Sequence, residues 1–226
     1  MENYKWYSKI KKHLSEITNK AAYEYWPFHN NQYVPFFNYR LEHILQVERD
    51  ALKILENVKA DKEIVIASVW IHDIFQPVYN GGKDHGEKAG NWATENIEKF
   101  GFPKNKIEDL CYSVFVHSSK PNEIPENKVE ARILWDADKL NKIGAVSLFF
   151  EIMSQFASDN IQKNFLSNKN FEMQNIVNKI AKDIFSDMIK PEKEINIFYF
   201  EYSNKKANER FKIQNKFLKA FCEEAM

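Results

Sequence analysis

The stretch KEIVIASVWIHDIF, residues 62–75, decides the fold. Its middle, IVIASVWI, is apolar all round, so as a helix it has to be central, with neighbours on every side. Asp61 stands where an N-cap belongs and Glu63 lies in the first turn, so the spacing predicts a helix over Lys62–Phe75. Pro77 and Gly81-Gly82 then end it and open a loop.

Upstream, Ile44, Val47, Ala51, Ile54 and Leu55 mark one side of a helix over 41–58. Trp6, Ile10, Leu14, Ile17 and Ala21 recur at helical spacing and predict an amphipathic first helix. Residues 25–39 hold Pro27 and Pro35 among many aromatics and read as an irregular segment between the two. Downstream, a helix is expected from near Asp84 to about Phe100, with Gly101 as its stop and Pro103 opening the next element. Ile107–His117 reads as a fifth helix and KPNEIPENK, residues 120–128, as a surface loop. A sixth helix runs from Val129 to about Phe156, with Gly144 as its point of weakness. The C-terminal third is again helical: Pro191 divides it, and Ala207–Glu224 reads as a last amphipathic helix with Phe211, Phe217, Leu218 and Phe221.

Six glycines and seven prolines punctuate the chain, and no alternating strand pattern is sustained. The expected fold is all-α, a helical bundle in one domain over 1–226. Its core spans about 36–150, with accessory helices from 1–35 and 151–226 packed on it. No internal repeat, low-complexity tract or clear linker interrupts it. A chain of 226 residues suits one domain with a sizeable core. The 18 Phe and 10 Tyr favour an aromatic-rich interior.

Acidic and basic residues balance at 32 each, so nothing marks a nucleic-acid polymer as partner. A small anion held by local charges is compatible with that balance. Cys111 and Cys222 are far apart and form no CxxC, so they read as small core residues in a reduced cytosol. The N-terminus MENYKWYSKIKKHL has no signal-peptide apolar stretch, and Ile64–Ile71 is too short to span a bilayer. A cytoplasmic protein without a membrane partner is expected.

His72-Asp73, at the end of the central helix, is where chemistry enters. With His43 from the preceding helix and Asp138 from a later one, it makes two imidazoles and two carboxylates. That donor set suits a divalent ion such as Mn, Fe, Co, Ni, Mg or Zn, and leaves positions for water and substrate. Two antiparallel neighbours joined by a short loop can bring the first three together. Asp136 is the rival of Asp138. Arg40 lies three residues before His43 on the same helix face, and its fork suits phosphate oxygens. Lys142 shares a face with Asp138, and Lys139 is adjacent to it. His85 and His117 add polar groups that could bind phosphate, shuttle a proton or hold a second metal. His13 and His29 fall outside this pattern.

The pieces YRLEH at 39–43, ASVWIHDI at 67–74, DHGEKAG at 84–90, FVHSS at 115–119 and LWDADKLNKIG at 134–144 resemble, in order, the HD-domain superfamily of metal-dependent phosphohydrolases. The segment 205–221 is also similar to the tail helix of small stand-alone bacterial and archaeal members. The resemblance implies an all-α bundle around one divalent metal held by His43, His72, Asp73 and Asp138. It further implies hydrolysis of a nucleotide or other small phosphate compound by attack of metal-bound water. Asp73, Arg40, His85 and Lys139 are then expected in catalysis, and Arg40, His85, His117, Lys139, Lys142 and Gln76 at the substrate. Relatives carry Glu or Lys where this chain has Gln76, and an amide cannot act as a general base. Relatives with two metals use two further histidines in the interval that holds His85 and His117. Two other classes stay open: a dinuclear iron oxygenase on the same fold, and a regulator that binds a nucleotide without cutting it. An aromatic surface on the terminal helices could form a homodimer.

Overall fold

The computed structural model describes residues 4–25, 37–76, 84–156, 178 and 195–225. The expectations for most of 25–39, the 77–83 loop and Pro191 lie outside them. The fold is all-α, with no strand among the described residues. The helices are α1 (Lys5–Tyr25), α2 (Tyr39–Leu55), α3 (Lys62–Ile71), α4 (His85–Asn96), α5 (Ile107–Val116), α6 (Val129–Leu140), α7 (Ala145–Phe156) and α8 (Glu201–Ala225).

The central stretch behaves as its composition requires. Asp61 caps α3 by accepting from the N–H groups of Glu63 and Ile64, and every residue from Ile64 to Ile71 is buried. α3 packs on α1, α2, α5 and α6, and α5 is packed in turn on α4 and α6. The helix ends sooner than its apolar run suggests: His72 is the C-cap, and His72–Phe75 form turns.

Other boundaries shift for similar local reasons. α4 tightens into a 3-10 turn over Ile97–Phe100 before Gly101, whose φ of +93° is the left-handed stop expected of it. Another 3-10 turn, Lys104–Lys106, precedes α5. The long sixth helix is two, α6 and α7, broken at Gly144 with φ +107°. α8 starts at Glu201, six residues earlier than its apolar pattern.

The chain divides into two compact units. The first is Met1–Asn141 with Ile197–Ser203. In it, α1 is tied down by polar contacts on aromatic residues. Trp6 Nε1 donates to Glu63 (3.0 Å), and Tyr7 Oη (2.9 Å) and Trp70 Nε1 (3.1 Å) both donate to the buried Glu48. Gly86 and Gly90 let α4 approach α5 closely. A Cβ on Gly90 would lie 2.7 Å from the Phe115 ring, and one on Gly86 would lie 3.1 Å from the His117 imidazole. α6 holds the segment before α8: Asp136 accepts from the N–H groups of Tyr199 (2.9 Å) and Phe200 (3.1 Å). The second unit is Lys142–Asn196 with Asn204–Met226. There Gln214 accepts from Gly144 N–H (2.8 Å), and the Asn208 amide bonds both backbone groups of Ile195. Among the described residues no helix is long and apolar enough to cross a membrane.

Burial pushes the Asp136 carboxyl from 3.8 up to about 6, despite the two N–H groups that favour its anion. An acid with a raised folded pKa binds more protons folded than unfolded, so stability falls as pH rises from about 4 to about 6. The expected outcome is that Asp136→Asn loses this part of the slope, read as thermal midpoints of both proteins across that window.

Candidate metal centre

The site lies within the first unit, where α2, the end of α3, α4, α5 and α6 each supply a side chain. Asp73 is its hub, 5% exposed. One of its oxygens, Oδ2, faces Arg40 in an ion pair and lies 3.4 Å from His43 Nε2 and 3.3 Å from His72 Nε2. The other, Oδ1, lies 3.6 Å from both His85 Nε2 and His117 Nε2. Asp138 Oδ1 approaches His43 Nε2 at 3.4 Å. His43, His72 and Asp73 can form one three-ligand group, and Asp73, His85 and His117 a second.

Three of the four histidines are oriented through Nδ1. His72 donates to the carbonyl of Val69 (2.7 Å) and His117 to that of Val114 (2.7 Å), each three residues back on its own helix. His43 Nδ1 is 2.7 Å from Asn141 Oδ1 and donates to it. In the neutral rings Nε2 then carries a lone pair. His43 Nε2 and His72 Nε2 are 3.3 Å apart, beside carboxylate oxygens. Acceptors gathered in this way, away from water, need a cation among them, either a proton or a metal ion. Burial by itself would lower the His43 pKa, but the Asp138 and Asp73 carboxylates outweigh it and hold it above its usual value. Burial would likewise raise Asp73, but Arg40 and His72 outweigh it and hold the carboxyl well below the usual range. The donor set fits a divalent ion: two imidazole nitrogens with fixed tautomers and two carboxylates.

The two acids of the DAD segment have different places. Asp138 is at the cluster, while Asp136 is turned to the segment before α8. Lys139 is half-buried, and its Nζ bonds Asp138 Oδ2 (2.5 Å) and the His117 carbonyl (3.2 Å). It therefore braces Asp138 and the end of α5. Lys142 is exposed at the start of the second unit. Gln76 Oε1 accepts from Arg40 Nη2 at 3.1 Å. His85 and His117 meet at 3.0 Å through their Nε2 atoms, and Gly86 gives the His117 ring its room.

Two participants escaped the sequence reading. Asn141 lies three residues after Asp138, and that spacing was the available signal. The Tyr39 ring lies parallel to His43 (2° between planes, centroids 6.3 Å apart), with the Arg40 guanidinium 5.4 Å from its centroid. Tyr39 opens the YRLEH segment, but its spacing gave it no role of its own.

The chain is similar to several solved structures. A predicted HD-superfamily hydrolase from an uncultured Thermotogales bacterium matches with a TM-score of 0.51 and 21% identity, over 94% of this chain and 92% of that one. Bacillus subtilis YpgQ matches at 0.54 and 15%, over 97% and 95%. An HD-superfamily hydrolase from Bacillus thuringiensis matches at 0.50 and 15%, over 97% of each chain. At these identities the likeness is one of fold. No curated protein matches the chain. Residues 40–143, the stretch from Arg40 past Asp138 that builds the centre, match the model of the HD domain family, so that stretch of the chain is an HD domain.

Proposed function

We propose that the protein is a metal-dependent hydrolase that cleaves the phosphoester or phosphoanhydride bond of a nucleotide or another small phosphate compound. One observation carries this reading: a buried, fixed-tautomer His/Asp acceptor cluster with the Arg40 guanidinium placed on its central carboxylate. The HD-domain match, and relatives described as HD-superfamily hydrolases, support it.

In this reading His43, His72, Asp73 and Asp138 hold the ion. When bound, it supplies Lewis acidity toward a phosphoryl oxygen and lowers the pKa of a coordinated water. The residues of the chain do the rest. Arg40, whose terminal nitrogens hold Asp73 and Gln76, adds a fixed positive charge at the centre that favours an anionic phosphate group. Lys139 holds Asp138 Oδ2, so that Oδ1 is the atom turned toward the ion's ligands. His117 donates through Nδ1, so the hydrogen between the two facing Nε2 atoms belongs to His85. His85, the more exposed of the two, can in its doubly protonated form give one proton to the leaving oxygen and return to the neutral ring.

The group Asp73–His85–His117 favours a second reading, in which these three residues would hold a second ion beside the first. Two ions can serve hydrolysis as a clamp on the attacking and leaving oxygens, or oxidation when both are iron. Metal stoichiometry with a phosphate-release screen separates these. One ion per chain with release in Mn, Mg, Co or Ni supports the first reading. Two ions with release support the two-ion hydrolase. Two irons without release would move the assignment to an oxygenase, and binding of a nucleotide without turnover to a regulator.

His72→Ala and Asp73→Ala are expected to lower phosphate release about a thousandfold or more, since each removes a ligand. Asp73→Ala alone should empty both ligand groups, whereas His117→Ala should leave the His43–His72–Asp73 group loaded. Elemental analysis of the purified variants checks this. Asn141→Leu removes the acceptor that fixes His43 and is expected to weaken metal binding by about 10–100-fold, read by titration calorimetry.

A further inference from the structure

Arg40 is 4% exposed, and its two terminal nitrogens have different partners. Nη1 pairs with Asp73 Oδ2, and Nη2 donates to Gln76 Oε1 at 3.1 Å. Gln76 is itself held by the turn that ends α3, where its N–H donates to the carbonyl of Asp73 (2.8 Å). The carboxylate that would bind the ion and the amide that steadies the guanidinium are thus ends of one short turn. The Tyr39 ring beside the guanidinium restricts it further.

The chemistry of position 76 then matters more than its shape. Glutamate there would keep the hydrogen bond and add a negative charge against Arg40. Lysine would offer no acceptor and would repel it. Glutamine accepts and carries no charge. Asp73 is shared between Arg40 and the ligand histidines, so an uncharged partner at Nη2 leaves the guanidinium cationic toward an incoming anion.

We propose that Gln76 is a positioning residue for Arg40, and that its uncharged amide makes position 76 a determinant of affinity for phosphate groups. This rests on the phosphohydrolase reading above and departs from the expectation that Gln76 touches the substrate.

The test is the affinity of Mn-loaded protein for inorganic phosphate by calorimetry, beside KM and kcat for whichever phosphate compound is turned over. Gln76→Glu preserves size and acceptor, so a purely structural role leaves it harmless and makes Gln76→Leu the worse variant. The charge argument predicts the reverse. Gln76→Glu is expected to weaken phosphate binding about tenfold or more, and Gln76→Leu about two- to fivefold, through loss of a hydrogen bond to a charged group. The change should appear in KM more than in kcat. Thermal melts show whether each variant is folded; if Gln76→Glu is not, Gln76→Leu carries the test. Wild-type affinity in Gln76→Glu, or in Gln76→Leu when it stands alone, overturns the inference and leaves the phosphohydrolase reading intact. So does a Gln76→Leu protein weaker than Gln76→Glu. A wild-type protein that neither releases nor binds phosphate overturns both.

Discussion

The Asp73 carboxylate, buried and divided between its two oxygens, is the constraint on which the site depends. A charged carboxylate in a protein interior is costly unless cations or donors surround it. Here Arg40, His43 and His72 face one oxygen, and His85 and His117 face the other. The apolar helix behind it lowers the local dielectric and strengthens each of these interactions. α3 ends at Ile71, and the turn at His72–Phe75 carries Asp73 among side chains from α2, α4 and α5.

Rigidity comes from the groups behind the clustered histidines. His72 and His117 are anchored to carbonyls of their own helices, so their orientation is as fixed as the helices themselves. His43 has no such anchor and relies on Asn141, carried by the helix end that follows Asp138. Metal affinity is sensitive to such supporting bonds because they set both tautomer and direction.

α6 organises three regions through residues on different faces. Asp138 and Asn141 serve the centre. Trp135 Nε1 donates to the Ser119 carbonyl (2.9 Å) and Lys139 to that of His117, so they hold the chain leaving α5. Asp136 collects the N–H groups just ahead of α8. Two aspartates two residues apart cannot share a helix face, which is why one joins the His/Asp cluster and the other holds a distant segment.

Much of this was legible in the residues. The all-α fold followed from helical spacing and sparse Gly and Pro, because burying an apolar face at that period admits few other solutions. The sequential set His43, His72-Asp73 and Asp138 was legible as well, because few chemistries bring those types together in that order. Boundaries were not: the end of α3, the early start of α8 and the split at Gly144 depend on caps and turns that composition barely marks. Nor could spacing decide which partner each polar group takes. Lys139 on Asp138 and the His117 carbonyl, Gln76 on Arg40, Asn141 on His43, and both His85 and His117 on the far oxygen of Asp73 are pairings between helices. Sequence determined which chemical groups the chain carries and on which elements. The tertiary packing decided which of them meet, because hydrogen-bond and ligand distances of about 3 Å depend on how neighbouring helices are set against each other.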